Sequence, residues 1–208
     1  MKPVLLLVHG WGFDADFWGP VREILGADAA VVWDLGFFGA PSRPPLPERR
    51  PVVAVGHSFG LLWLLHHRPV AWRALVAVNG FACFTRREGF PEGVEPRVLN
   101  RMISRFAEAP AQMVVDFRAR CGWVVPPPAR RDDASLLNGL QALARWDERP
   151  AQVDLALCGR NDALVPMAMS KASMPGERIV WHDGGHLLPL EDSGWCAAQL
   201  RAVLEGVP

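Results

Sequence analysis

The sequence carries no excess of charge of either sign: 22 basic side chains face 22 acidic ones over 208 residues. The basic surplus by which proteins hold a nucleic-acid backbone or an anionic membrane is missing, so neither partner is expected. Cysteine is scarce and unpaired in pattern. Cys83, Cys121, Cys158 and Cys196 lie far apart, with no C-x-x-C pair and no Cys/His cluster at zinc spacing. No metal site is expected, and the four thiols read as reduced and mostly buried. Long apolar runs are also absent. Val4 to Val8 is too short to span a bilayer, and His9-Gly-Trp-Gly12 follows where a signal peptide would need a small-residue cleavage site. The expected compartment is therefore the cytoplasm. There is no internal repeat, and the proline-rich stretches Pro41 to Pro47 and Pro126 to Pro128 are too short to link separate domains. Half of the composition is apolar, which excludes disorder and suits a single domain over residues 1–208, expected to be a monomer.

What is present is a series of short apolar runs bounded by Gly, Asp or Asn: Val4 to Val8, Ala30 to Trp33, Val52 to Val55, Ala74 to Val78, Val153 to Leu157 and Ile179 to Trp181. Such runs read as strands buried on both faces. Helical segments fall between or after several of them, at Pro20 to Leu25, Phe59 to His67, Pro166 to Met174 and Asp192 to Leu204. The alternation predicts an α/β fold with a doubly wound, mostly parallel sheet of about six strands. Residues 81–150 break the rhythm and read as an inserted helical cap. Within it Met102, Phe106, Met113 and Phe117 fit one apolar face, and the three prolines from Pro126 must end any helix.

Gly56-His-Ser-Phe-Gly60 follows one predicted strand and precedes a predicted helix, the context that gives G-x-S-x-G chemical meaning. So tight a turn leaves no room for side chains at its flanks and lifts Ser58 above the carboxyl ends of the strands, where open α/β sheets bind ligands. A serine hydroxyl needs a base to become a nucleophile. Of the six histidines, His186 follows the last predicted strand, as the chain order Ser, Asp, His requires. His66 and His67 end a helix that points away, whereas His57 lies inside the turn as a candidate pocket residue. For the orienting carboxylate, Asp162 follows the penultimate strand; Asp183 competes by nearness to His186, but reads better as a turn former. Charge developing on a carbonyl oxygen needs preorganised donors. The amides of Phe59, next to the nucleophile, and Trp11, after the first strand, are the candidates.

In order along the chain, His9-Gly-Trp-Gly12, Gly56-His-Ser-Phe-Gly60, Gly159-Arg-Asn-Asp162 and Gly185-His186 resemble the α/β-hydrolase superfamily. That fold normally opens with two further antiparallel strands, so a reduced form is expected here. Within the superfamily, the opening from His9 to Trp18 and the segment from Met102 to Gly122 are similar to the pimeloyl-acyl-carrier-protein methyl ester esterases of biotin synthesis. The resemblance implies a serine carboxylesterase that cleaves a methyl ester on a carrier-borne seven-carbon chain through an acyl-enzyme. It implies no metal or organic cofactor, and an acidic carrier protein as transient partner. Arginines of the cap, chiefly Arg97, Arg101, Arg105 and Arg118, would guide that partner by charge; the plainer reading is that they are the solvated faces of cap helices. Trp11, Phe13, Phe59, Phe117 and Trp123 are candidate acyl-pocket residues, with core packing as the alternative. A general short-chain carboxylesterase, a carbon–carbon bond hydrolase and a non-catalytic binding module on the same scaffold stay open as readings.

Overall fold

A computed structural model describes residues 1–174 and 178–207. In chain order the elements are β1 (Val4–Val8), α1 (Gly19–Leu25), β2 (Ala30–Trp33), β3 (Val52–His57), α2 (Phe59–His67), β4 (Ala74–Val78), α3 (Pro96–Glu108), α4 (Pro110–Arg120), α5 (Asp133–Arg145), β5 (Leu155–Gly159), α6 (Met167–Ser173), β6 (Ile179–His182), α7 (Leu188–Glu191) and α8 (Ser193–Gly206). The strands form one sheet in the order β2-β1-β3-β4-β5-β6, every pairing parallel. No helix among the described residues is long and apolar enough to cross a membrane.

The apolar runs are continuous because both sheet faces are covered, and side chains of successive strand residues go to opposite faces. Leu6, Val8, Ala54 and Ala77 join a core with α2 and the helices between β4 and β5. Leu5, Leu7, Val53, Val55 and Val76 join a second core with Val21 of α1, Leu188 of α7 and Leu200 of α8. Two of the helices that close these cores begin at aspartate caps: Asp192 accepts from the Trp195 amide and Asp132 from the Ser135 amide, each at 2.8 Å.

Strand order reverses direction about β1 and β3, so the connections leaving their carboxyl ends diverge and open a crevice. The register sets Val8 beside Gly56, which brings the loop from His9 to Gly12 against the start of α2. Close approach there requires glycine. A Cβ on Gly60 would lie 2.5 Å from the Val8 carbonyl oxygen, and one on Gly56 would collide with the Leu61 backbone.

Three strands have bounds that differ from the sequence reading; β6 runs one residue further, to His182, which pairs with Gly159. β3 runs on to His57 because His57 still pairs with Val78. β5 begins at Leu155 rather than Val153, since Asp154 turns its carboxylate to the Leu75 amide at 2.8 Å and pairing with β6 continues to Gly159. The segment between β4 and β5 holds α3, α4 and α5. In α3, Leu99 and Phe106 are buried while Met102 and Ile103 are partly so, one stripe at helical spacing. Arg97, Arg101 and Arg105 follow every fourth residue and form another row on that helix.

Candidate active site

Ser58 stands between β3 and α2 with φ 52° and ψ −122°, a conformation that L-residues rarely adopt. Its amide donates to the Val78 carbonyl at 3.0 Å, which holds the turn against β4. The Ser58 hydroxyl lies 3.0 Å from His186 Nε2, and His186 Nδ1 lies 2.7 Å from Asp162 Oδ2. An ionised carboxylate only accepts, so the imidazole proton sits on Nδ1 and Nε2 is free to accept from the serine. All three side chains are buried or nearly so. The other Asp162 oxygen, Oδ1, accepts from the amides of Leu164 and Val165 at 2.7 and 2.8 Å, which fixes the carboxylate plane. Such a line can pass a proton from a serine to an imidazole and stabilise the imidazolium that results.

The loop carrying His186 is held from both sides. Glu191 of α7 accepts from the Gly185 amide at 2.6 Å and from the Leu187 amide at 3.1 Å. Asn79, at the end of β4, donates to the carbonyls of Gly185 and His186. His57 Nε2 also lies 2.9 Å from the His186 carbonyl, so that nitrogen is the donor. Neither Asn79 nor Glu191 belongs to a recognisable motif. The one sequence cue for Asn79 is a polar residue before glycine at the end of an apolar strand. Asp183 is displaced to the surface, where it pairs with Arg160 at 3.1 Å.

His57 is wholly buried, stacked on Phe17 at 4.3 Å, and lies outside the cavity that Ser58 faces. Burial, and secondarily the neighbouring His186, lower its pKa well below the ordinary 6.5. An unfolded chain takes up this proton below about pH 6.5 and the folded chain does not, so stability falls with pH there. Urea unfolding between pH 6.5 and 5 should show a loss approaching ~1.4 kcal/mol per pH unit from this group. A His57→Gln variant should show a shallower slope; an equal slope would assign the loss elsewhere.

Ser58 opens into a cavity of about 600 Å³, of the size that takes a drug-sized ligand. Trp11, Phe59 and Phe117 line it, together with Phe81, Phe84, Val94, Met102, Met113, Leu143 and Leu164, while Arg97, Arg101, Arg105 and Arg120 supply the cationic part. Trp11 is fixed by an indole N–H bond to the Leu136 carbonyl at 2.8 Å and an edge contact with Phe117 at 4.7 Å. Gly10 approaches so near that a Cβ there would sit 3.1 Å from that of Ser58, which keeps the Trp11 segment beside the nucleophile. His9 sets that segment: its Nε2 accepts from the Leu35 amide at 3.0 Å, leaving Nδ1–H to donate to the Gly10 carbonyl at 2.9 Å.

Three expected site residues are elsewhere. Phe13 packs on Phe17 at 5.2 Å in the core beneath the other sheet face, and Trp123 packs against that same core. Arg118 is 7% exposed, its guanidinium 5.0 Å from the Phe13 ring and 5.8 Å from that of Phe38. Contact with ring faces offsets part of the cost of burying the charge, and it leaves this arginine unable to meet a partner. Arg120, two residues on, is exposed and takes its place at the cavity. Arg105 is paired with Asp116 at 2.8 Å, whereas Arg97 and Arg101 are exposed with no carboxylate partner among the described residues. The four cysteines are free and buried; burial pushes the thiols of Cys158 and Cys196 up to about 12. No group of His, Cys, Asp and Glu among the described residues is arranged to hold a metal ion.

The Alpha/beta hydrolase family matches residues 44–199 of this chain, and the chain belongs to that family, as an enzyme among the carboxylic ester hydrolases. It is 30% identical over 205 residues to a protein named biotin biosynthesis bifunctional protein BioHC from Cellvibrio japonicus, an alignment covering 82% of this chain and 40% of that one. The chain thus spans less than half the length of that bifunctional relative. It is 25% identical over 246 aligned positions to a pimeloyl-[acyl-carrier protein] methyl ester esterase of Xylella fastidiosa strain M23, covering 99% of this chain and 96% of that protein. In three dimensions it is similar to an esterase from Exiguobacterium antarcticum, with a TM-score of 0.79 and 16% identity over 98% of this chain and 92% of the other. That last likeness concerns the fold.

Proposed function

We propose that this protein is a serine carboxylesterase that cleaves the methyl ester of a pimeloyl chain borne on acyl carrier protein, in biotin synthesis. The observation that carries the proposal is the hydrogen-bonded line from Ser58 through His186 to Asp162, opening into an apolar cavity edged by guanidinium groups. The names of the relatives supply the substrate. In this reading Ser58 Oγ attacks the ester carbonyl as His186 Nε2 takes its proton. The amides of Trp11 and Phe59 hold the oxyanion, and His186 returns the proton to the leaving methoxide. Water, deprotonated by the same imidazole, then releases the acid from the acyl-enzyme. Asp162 keeps the proton on Nδ1 and does not take it.

Residues 81–150 act in this reading as a cap over the acyl chain, with Trp11, Phe59 and Phe117 among its walls. Arg97, Arg101 and Arg120 face an acidic carrier, and Arg105 shares its charge with Asp116. The protein works as a monomer in the cytoplasm and needs no cofactor. The test is release of free pimeloyl carrier protein from its methyl ester by the purified protein. Reversing two charges, Arg97→Glu with Arg101→Glu, should raise KM for the carrier-borne ester by about tenfold and flatten its salt dependence, with kcat retained. No turnover of the carrier-borne ester, beside rapid cleavage of small aryl esters, would leave a general carboxylesterase.

A further inference from the structure

Asn79 lies at a junction that the reaction does not itself explain. It is 1% exposed and follows β4 directly, with φ 44°. Its neighbour Val78 receives the Ser58 amide, and its own amide donates to the Leu157 carbonyl at 2.8 Å. The side chain makes three hydrogen bonds, all to main-chain groups. Oδ1 accepts from the Gly159 amide at 2.7 Å, where the loop to Asp162 leaves β5. Nδ2 donates to the carbonyls of Gly185 and His186 at 2.9 and 2.8 Å. One amide on one side and two carbonyls on the other fix the orientation of the carboxamide, since only oxygen accepts and only nitrogen donates. Glu191 grips the amides around His186, and Asn161 joins the two loops further out, its amide donating to the Gly184 carbonyl at 3.1 Å and its side chain to that of Asp183; among the described residues Asn79 is the one whose side chain joins the Asp162 loop to the His186 carbonyl itself.

We propose that Asn79 is a positioning residue: its carboxamide ties the Asp162 loop to the His186 loop and so holds the imidazole in line with Ser58. The inference rests on the serine-esterase reading above. A catalytic imidazole displaced by about 1 Å costs on the order of 100-fold in rate, so a clamp on its backbone carbonyl has a large effect without touching substrate. His57 reinforces the clamp by donating to the same His186 carbonyl, but it does not reach the Asp162 loop.

The backbone conformation supplies clean variants. Glycine adopts a positive φ without strain, so Asn79→Gly removes the carboxamide and leaves the turn intact. Asn79→Asp keeps the acceptor for the Gly159 amide and replaces the donor with an oxygen that repels both carbonyls. Each variant is to be assayed on p-nitrophenyl butyrate, with its melting temperature measured. Alongside, the low-field proton NMR resonance of His186 Nδ1–H reports the bond to Asp162 whether or not an ester turns over. Both variants should lower kcat by about 100-fold at unchanged KM, and lose or broaden that resonance. Three results would each overturn the inference: an unmoved resonance in both variants, a loss of activity matching only the fraction unfolded, or full activity in Asn79→Asp beside a defective Asn79→Gly. The last would reduce Asn79 to an acceptor for Gly159. Should the unaltered protein leave aryl esters and fluorophosphonates untouched, the esterase reading fails, and the resonance still decides the role of Asn79.

Discussion

Replacing Ser58 with alanine should lower kcat on an aryl ester by on the order of a million-fold, because no other hydroxyl can take over the attack. The residue left behind keeps what the fold needs. The backbone bond from position 58 to Val78 does not involve the side chain, and the lost hydroxyl contacts His186 alone. Alanine is no worse than serine at φ 52°, since both carry a Cβ. The melting temperature should therefore stay close to that of the unaltered protein. Residual hydrolysis would come from the oxyanion donors and the cavity. The measurement is ester turnover together with mass spectrometry after a fluorophosphonate probe, which should add one label to the native chain and none to Ser58→Ala. A label on the variant would place the nucleophile elsewhere.

Asp162→Asn should cost about ten-thousand-fold in kcat although the shape hardly changes. The Asp162 side chain accepts three N–H groups, two from the backbone of Leu164 and Val165 and one from His186. An asparagine satisfies the two backbone amides only by turning its carbonyl oxygen toward them. Its NH₂ then faces His186 Nδ1, which must become the acceptor. The imidazole proton is displaced to Nε2 and points at Ser58, so the histidine cannot receive the serine proton. The check is kcat for Asp162→Asn on the same aryl ester, with KM expected to stay near its original value. A loss below tenfold would mean that another group orients the imidazole.

The inner strands β1, β3, β4 and β5 were legible because each is buried on both faces and so reads as an unbroken apolar run, and the partly buried edge strands β2 and β6 kept short apolar runs of their own. The ends of β3 and β5 were not, since they depend on which neighbour a strand pairs with, as His57 with Val78 and Gly159 with His182 show. The serine, histidine and aspartate stood out because their spacing follows the carboxyl ends of successive strands. Cavity residues were less visible. Hydrophobicity identifies Phe13 and Phe117 equally, yet one packs under the sheet and the other faces the cavity. The sequence of α4 has little periodicity from which to tell that Arg118 turns inward and Arg120 outward. Asn79 escaped notice because its partners are main-chain atoms on loops 80 and more residues away, a pattern no side-chain motif records.

Ser58 and His186 are separated by 128 residues and meet only where β3, β4, β5 and β6 lie side by side. Every one of those pairings is parallel, and parallel neighbours close long loops before any contact repays them. The chemistry is therefore a property of the finished sheet. Under the serine-esterase reading, reactivity at Ser58 requires β6 to be in place beside β5, because the loop after β6 carries His186.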